Sequence, residues 1–186
     1  MSKDINLILC DAAKSGDLAE CQMAKDRGAT DVEGMLREAT FAGHEYICRL
    51  AIDWGAKRFD IMLLNSAIYK YENICRLAKD HLLKSNFASN KVDELFELML
   101  CHAASNGNVD MCCLAKEFGA KDVNRMLLNS VSGERNPTII DLAIKWGATN
   151  LNEALIHAAG SRDDASWHLL KEYAATDTYL MATLIH

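Results

Sequence analysis

Residues 39–51 read Ala39-Thr40-Phe41-Ala42-Gly43-His44-Glu45-Tyr46-Ile47-Cys48-Arg49-Leu50-Ala51, and Gly55-Ala56 follows after three intervening residues. The core of this stretch, Ile47-Cys48-Arg49-Leu50-Ala51, returns 27 residues on as Ile74-Cys75-Arg76-Leu77-Ala78. Recurrence at a fixed period identifies a repeat architecture and has to be traced before local structure is read. Aligned on the closing dipeptide, the chain presents Gly28-Ala29, Gly55-Ala56, Gly119-Ala120 and Gly147-Ala148, with Leu82-Leu83 and Ala174-Ala175 in the same place in two degenerate copies. The steps are 27 residues, except for 37 between Leu82 and Gly119 and 28 between Gly119 and Gly147. Six copies and a truncated seventh result. A ten-residue insertion falls near Ser85–Lys91 and one extra residue near Ser132–Arg135.

Each copy reads as two helices. The first carries a Met-Leu pair (Met35-Leu36, Met62-Leu63, Met99-Leu100, Met126-Leu127) one turn before small residues such as Ala39, Ala103-Ala104 and Ala158-Ala159. Large and small residues on successive turns let helices approach closely. Thr30-Asp31-Val32-Glu33 has a capping-box pattern that predicts Thr30 as the cap. Gly16, Gly43 and Gly107 are expected to end this helix, where a sharp turn needs positive φ. The second helix then begins at Asp17, His44, Asn108, Asn136 and Asp163, mostly residue types that cap open amides. Pro137, the only proline, stands right after Asn136, where it forfeits no helical hydrogen bond. Seven of the ten glycines thus belong to two recurring turns and require no ligand to explain them.

Helix order, turn glycines and the Gly43-His44 step resemble the ankyrin repeat family over nearly the whole chain. Two features depart from it. Gly34-Met35-Leu36-Arg37 stands where the family has Thr-Pro-Leu-His, and the period is mostly 27 rather than 33 residues. The missing residues all come from the connection that forms the family's β-hairpin finger. The resemblance therefore implies an all-α, ankyrin-like helix-turn-helix solenoid with fingers shortened or absent. Its expected organisation is a single repeat domain over 1–186. The repeats are about 4–30, 31–57, 58–84, 93–120, 121–148 and 149–175, with an insertion at 85–92 and a C-terminal cap at 176–186. Steps such as Leu114-Ala115-Lys116-Glu117-Phe118-Gly119-Ala120 also resemble the divergent ankyrin proteins of large DNA viruses.

The composition is half apolar and a quarter charged, with net charge −6. This gives no basic footprint for nucleic acid or an anionic membrane. No apolar run reaches the ~18–20 residues of a bilayer span, and Met1–Asn6 lacks a secretory signal pattern. The expected location is cytoplasmic, in the host cytoplasm if the protein is viral. Among the seven cysteines, Cys21, Cys48, Cys75 and Cys112 share one repeat position and Cys10 and Cys101 another. Equivalent positions in stacked helices lie ~8–10 Å apart, too far for a disulfide or a shared zinc ion. They read as small buried apolar residues. His102 and His157 share a position two repeats apart, and no paired-ligand motif occurs. Nor is there a nucleophile elbow, a phosphate loop or a dinucleotide fingerprint, since Ser132–Arg135 and Gly160–Asp164 read as turns. No enzyme activity, metal or cofactor is expected. Asp26, Asp53, Asp80 and Glu117, beside Lys25, Lys79 and Lys116, read as solvated charges. Trp54, Phe118, Trp146 and Tyr173 form a column that either packs on the neighbouring repeat or makes an exposed ridge.

The resemblance implies a protein partner on the concave surface made by the first helices. Carried over repeat by repeat, the family's variable positions fall on Lys14-Ser15, Phe41-Ala42, Ile68-Tyr69 and Ser105-Asn106. The turn before adds Asp11, Glu38, Asn65, His102 and Asn129. The expected contact set is Glu38, Phe41, Asn65, Ile68, Tyr69, His102, Ser105 and Asn106. Phe41, Ile68 and Tyr69 are apolar for exposed positions, which marks a contact site; a register shift of one would instead bury them between repeats. The insertion, expected to be a loop on one face, is a second candidate. The function expected is a protein–protein interaction module, which targets a host regulator if the protein is viral. The alternative is a self-associating repeat protein, a homodimer formed through the apolar C-terminal cap.

Overall fold

The computed structural model describes residues 4–85, 88–134, 136–161 and 163–183, with side chains through residue 174 in the last helix. Among these residues there are twelve α-helices and no strand. The chain divides into two compact units, Met1–Leu95 and Phe96–His186. In the first unit α1 (Ile5–Ser15) pairs with α2 (Leu18–Asp26), α3 (Val32–Ala42) with α4 (Glu45–Asp53), and α5 (Phe59–Ile68) with α6 (Glu72–Lys84). The first helices stack α1 on α3 on α5, and α4 lies beside α6. Next comes α7 (Ser89–Ser105), which holds the boundary between units. The second unit continues with α8 (Val109–Phe118), α9 (Val123–Ser132), α10 (Pro137–Lys145), α11 (Leu151–Gly160) and α12 (Asp164–Thr183). There α9 pairs with α10 and α11 with α12, and α9 also packs on α11. Each unit, as described, is an all-α stack of helix-turn-helix repeats.

The turn chemistry accounts for the helix ends. Gly16, Gly43 and Gly107 are left-handed, with φ of 80°, 79° and 62°, and Gly28, Gly55, Gly119 and Gly147 are left-handed after the second helices. These are the seven glycines that the repeat assigns to turns. Asp17, Asn108, Asn136 and Asp163 accept a hydrogen bond from an amide in the first turn of α2, α8, α10 and α12. His44 occupies the same position without capping. Its ring donates instead to the Lys14 carbonyl at 3.2 Å. Buried Met35, Leu36, Met62, Leu63, Met99, Leu100, Met126 and Leu127 form the core with the alanines beneath them.

Three expectations are corrected. Thr30 does not cap α3; Asp31 does, accepting from the Gly34 amide at 2.8 Å. The capping box cannot close because Glu33 reaches forward, taking the amides of Lys57 at 2.8 Å and Arg58 at 3.2 Å. The degenerate dipeptides do not end their helices: α6 runs through Leu82-Leu83 and α12 through Ala174-Ala175 to Thr183. Neither dipeptide offers a residue that readily takes positive φ, and alanine and leucine propagate a helix. Finally, the insertion is not simply a loop. Ser89–Val92 are helical and lengthen α7 to 17 residues, with Val92 buried. Asn86 and Phe87 lie outside the described residues, as do the side chains of the 176–186 cap on which a homodimer was expected.

The connections from second helix to next first helix, at 27–31, 54–58, 119–122 and 146–150, are too short for a hairpin. A side chain does the fastening instead. In α1, α3 and α9 the second residue of the helix accepts from backbone amides of the following connection. Asn6 takes Thr30 at 2.8 Å and Asp31 at 3.0 Å, and Glu33 takes Lys57 and Arg58. Asn124 takes Thr149 at 2.8 Å. Glu97, at the corresponding position in the lengthened α7, takes Lys121 at 2.7 Å and Asp122 at 3.1 Å.

Candidate functional site

In the first unit, the packing of α3 on α5 brings Phe41, near the end of α3, to Tyr69, which caps α5. Their ring centroids lie 5.6 Å apart at 87°, an edge-to-face pair. Tyr69 in turn faces Tyr71, 6.2 Å away and tilted by 18°. Ile68 and Tyr69 are 42% and 49% exposed, while Phe41 is half-buried. The register shift that would bury all three does not occur. Glu38 is half-buried and pairs with Arg37 at 3.1 Å, and Asn65 is half-buried one turn before Ile68.

The turn carrying these aromatics is unlike the others. Lys70 stands where Gly16, Gly43 and Gly107 stand in other repeats, and it is the only non-glycine residue with positive φ (67°) among those described. A side chain there costs ~1–2 kcal/mol, so the surrounding turn holds Lys70 between two tyrosines against its own preference. Tyr71 begins α6 in place of a capping residue. Its ring sits so close over Gly43 that a Cβ there would meet it at 2.6 Å. Tyr46, 48% exposed, has its ring 5.9 Å from that of His44, and its hydroxyl donates to the Gly16 carbonyl. Neither Tyr46 nor Tyr71 was among the expected contact residues. The one available signal for Tyr71 was an aromatic where the repeat otherwise has Asp17, His44 or Asn108.

In the second unit, His102 and Asn106 are exposed and Ser105 is half-buried. Ser105 is occupied in holding repeats together. Its hydroxyl donates to Asn129 Oδ1 at 3.2 Å, and its carbonyl accepts from the Glu134 amide at 2.6 Å. Asn129 is itself fixed by donating to the Arg125 carbonyl at 2.8 Å. Neither Ser105 nor Asn129 is a freely presented group.

In the aromatic column, Trp54, Trp146 and Tyr173 reach the preceding repeat, whereas Phe118 packs within its own. Lys25 Nζ lies 5.3 Å from the Trp54 ring centroid and Lys116 Nζ 5.7 Å from that of Trp146, both cation–π contacts. Phe118 packs on Phe96 at 5.5 Å, and the Tyr173 hydroxyl donates to Asp141 at 2.8 Å. Lys25 and Lys116 are therefore not merely solvated charges. Sequence spacing conceals the pairing because each partner comes from a different repeat.

All seven cysteines are free. Cys21, Cys48, Cys75 and Cys112 are fully buried. Burial pushes the thiols of Cys21, Cys48 and Cys75 up to about 11 and that of Cys112 to about 12. A thiol kept neutral is a poor nucleophile and a poor ligand. Among the described residues, no three His, Cys, Asp or Glu side chains are placed to hold a metal ion, and no helix is long and apolar enough to cross a membrane. No protein-family model matches the chain, and no curated protein matches it.

Proposed function

We propose that this protein is a protein–protein interaction module, a divergent short-repeat member of the ankyrin class, and that Phe41, Ile68 and Tyr69 anchor its partner. The observation that carries the reading is the exposed Ile68-Tyr69 pair, backed by Phe41 and held beside the left-handed Lys70. Exposed aromatics on a rigid scaffold are the usual energetic anchors of interfaces. Strained backbone concentrates where a structure is committed to a function. Glu38 and Asn65, half-buried on the same two helices, are polar neighbours suited to a rim. In the second unit His102 and Asn106 are the exposed members of the proposed set, with Ser105 supporting them.

The module acts without catalysis, and its partner is a protein rather than nucleic acid or membrane. The class resemblance rests on helix order, the seven left-handed glycines and the His44 turn. Resemblance to the ankyrin proteins of large DNA viruses extends the proposal to a host regulatory protein as partner, met in the host cytoplasm. The test is affinity capture from cell lysate with the intact chain beside Phe41→Ser/Tyr69→Ser and beside Ile68→Ser alone. A protein retained by the intact chain and lost from both variants, with helicity unchanged, supports the site. Equal retention by all three overturns it.

A further inference from the structure

Lys70 keeps a side chain at a left-handed position that Gly16 and Gly43 fill in the other turns of the first unit. What occupies that strained position is an exposed ammonium between Tyr69 and Tyr71. The carboxylates beside this turn and its two counterparts are already committed. Asp17 caps α2, accepting the Glu20 amide at 2.9 Å. Glu45 binds Arg49 at 2.7 Å and Glu72 binds Arg76 at 2.9 Å, each one turn along its own helix. Glu38, a turn before Phe41, is held by Arg37 at 3.1 Å. Asp11, at the same position of α1, is engaged as well. Asp4 and Asp31 cap the opposite ends of α1 and α3. Lys14 and Lys70 are exposed and, among the described residues, their side chains form no ion pair or hydrogen bond.

Lys14 stands in the repeat column of Phe41 and Ile68. Its carbonyl, 3.2 Å from the His44 ring nitrogen, fixes the end of α1 against the second repeat. Lys70 follows directly on Tyr69. The exposed apolar patch therefore runs between two cations, in a chain whose net charge is −6. We propose that the partner engaged by Phe41, Ile68 and Tyr69 is a protein segment in which an apolar side chain is flanked by carboxylates, with Lys14 and Lys70 receiving the two acidic flanks. This rests on the reading of those three residues as the anchoring site and adds the partner's chemistry to it. The apolar anchor supplies affinity by leaving water. The carboxylates supply orientation and selectivity, since a basic segment would meet Lys14 and Lys70 with like charge. Two repeats separate the lysines, ~16–20 Å at helix-packing spacing, or about five or six residues of extended chain. The fit also accounts for Lys70 itself. Glycine would relieve the turn, as it does at Gly16 and Gly43, but would remove one of the two charges.

Selection of a phage-displayed random peptide library on the intact chain tests this. Enriched sequences should carry Asp or Glu on both sides of an apolar residue, and a synthetic copy should bind more weakly as salt rises. Lys14→Glu/Lys70→Glu should weaken that peptide about tenfold or more, because both attractions become repulsions. Lys70→Gly should weaken it about threefold while raising the melting temperature, which separates lost binding from lost folding. Lys70→Arg should bind like the intact chain. Enriched peptides without carboxylates, no enrichment, or equal binding to the intact chain and the double-glutamate variant overturn the proposal. The anchoring site itself is tested separately, with the same peptide on Phe41→Ser/Tyr69→Ser. Binding kept by that variant overturns the site, and this partner with it. Binding lost there but indifferent to Lys14 and Lys70 overturns only the acidic partner.

Discussion

The Glu33 carboxylate, on the first turn of α3, accepts the backbone amide of Lys57, in the connection that leads into the next repeat, at 2.8 Å. With the Arg58 amide at 3.2 Å, one side chain fixes the entry to α5. Hydrogen bonds to a charged acceptor contribute ~1.5–3 kcal/mol net, but both amides belong to exposed residues that water can reach once the carboxylate is gone. Glu33→Ala should therefore destabilise the protein by ~1–2 kcal/mol in urea unfolding. Glu33→Gln should cost less, because Asn6 and Asn124 do the same work with an amide oxygen. An equal loss for Ala and Gln would show that charge, rather than the acceptor atom, matters.

Gly16 and Gly28 are both left-handed, with φ of 80° and 97°, but their surroundings differ. A Cβ on Gly16 would lie 2.8 Å from His44 and 2.9 Å from the Tyr46 hydroxyl, whereas one on Gly28 meets nothing within 4 Å. Both alanine variants incur the backbone cost of ~1–2 kcal/mol. Gly16→Ala must in addition displace the ring pair that ties α4 to the first repeat, an overpacking cost of ~1–3 kcal/mol. Chemical denaturation of the two variants should rank them clearly, with Gly16→Ala the worse.

Lys70 reverses that logic, since the side chain is already there. Lys70→Gly relieves the left-handed strain and adds flexibility to the unfolded chain, for a net gain of ~0.5–1 kcal/mol. The rise in melting temperature is the readout. A fall would mean that the lysine side chain contributes packing that outweighs its backbone cost.

The repeat made much of this fold readable, because each copy constrains the others: seven left-handed glycines and Pro137 at the start of α10 follow from alignment alone. It failed where a copy lost its punctuation. Leu82-Leu83 and Ala174-Ala175 align with turns, but alignment does not supply positive φ, so α6 and α12 run on. Thr30 and Asp31 are adjacent and equally able to cap, and the contest is decided by Glu33, whose partner amides lie 24 and 25 residues away. The Lys25–Trp54 contact was hidden for the same reason. At the candidate site, the apolar character of Phe41, Ile68 and Tyr69 stood out against the repeat. The neighbouring Tyr71 did not, because its role depends on the space above Gly43.

The buried cysteine column makes stability sensitive to alkali. Burial, the leading cause, raises the thiols of Cys21, Cys48 and Cys75 from 9.0 to about 11 and Cys112 to about 12. For Cys48 and Cys75 this holds despite hydroxyls in reach of sulfur, Thr40 at 3.6 Å and Ser66 at 3.1 Å, which favour the thiolate. In the unfolded chain these thiols ionise near their ordinary value, so between pH 9 and 11 the unfolded state holds fewer protons than the folded one. Their contribution is intact below pH 9 and lost as pH climbs through the folded values. The urea midpoint should thus drop across pH 9–11, and replacing Cys48 and Cys75 with alanine should flatten that drop while lowering stability at neutral pH. The same burial sets reagent access: at pH 8, a thiol reagent should first modify exposed Cys113. Cys10, half-buried and raised to about 11 by burial and by Asp31 and Glu38, should follow slowly, and the buried column should react only on unfolding. Rapid modification of the column in the folded protein would mean that the repeats open far more often than such packing allows.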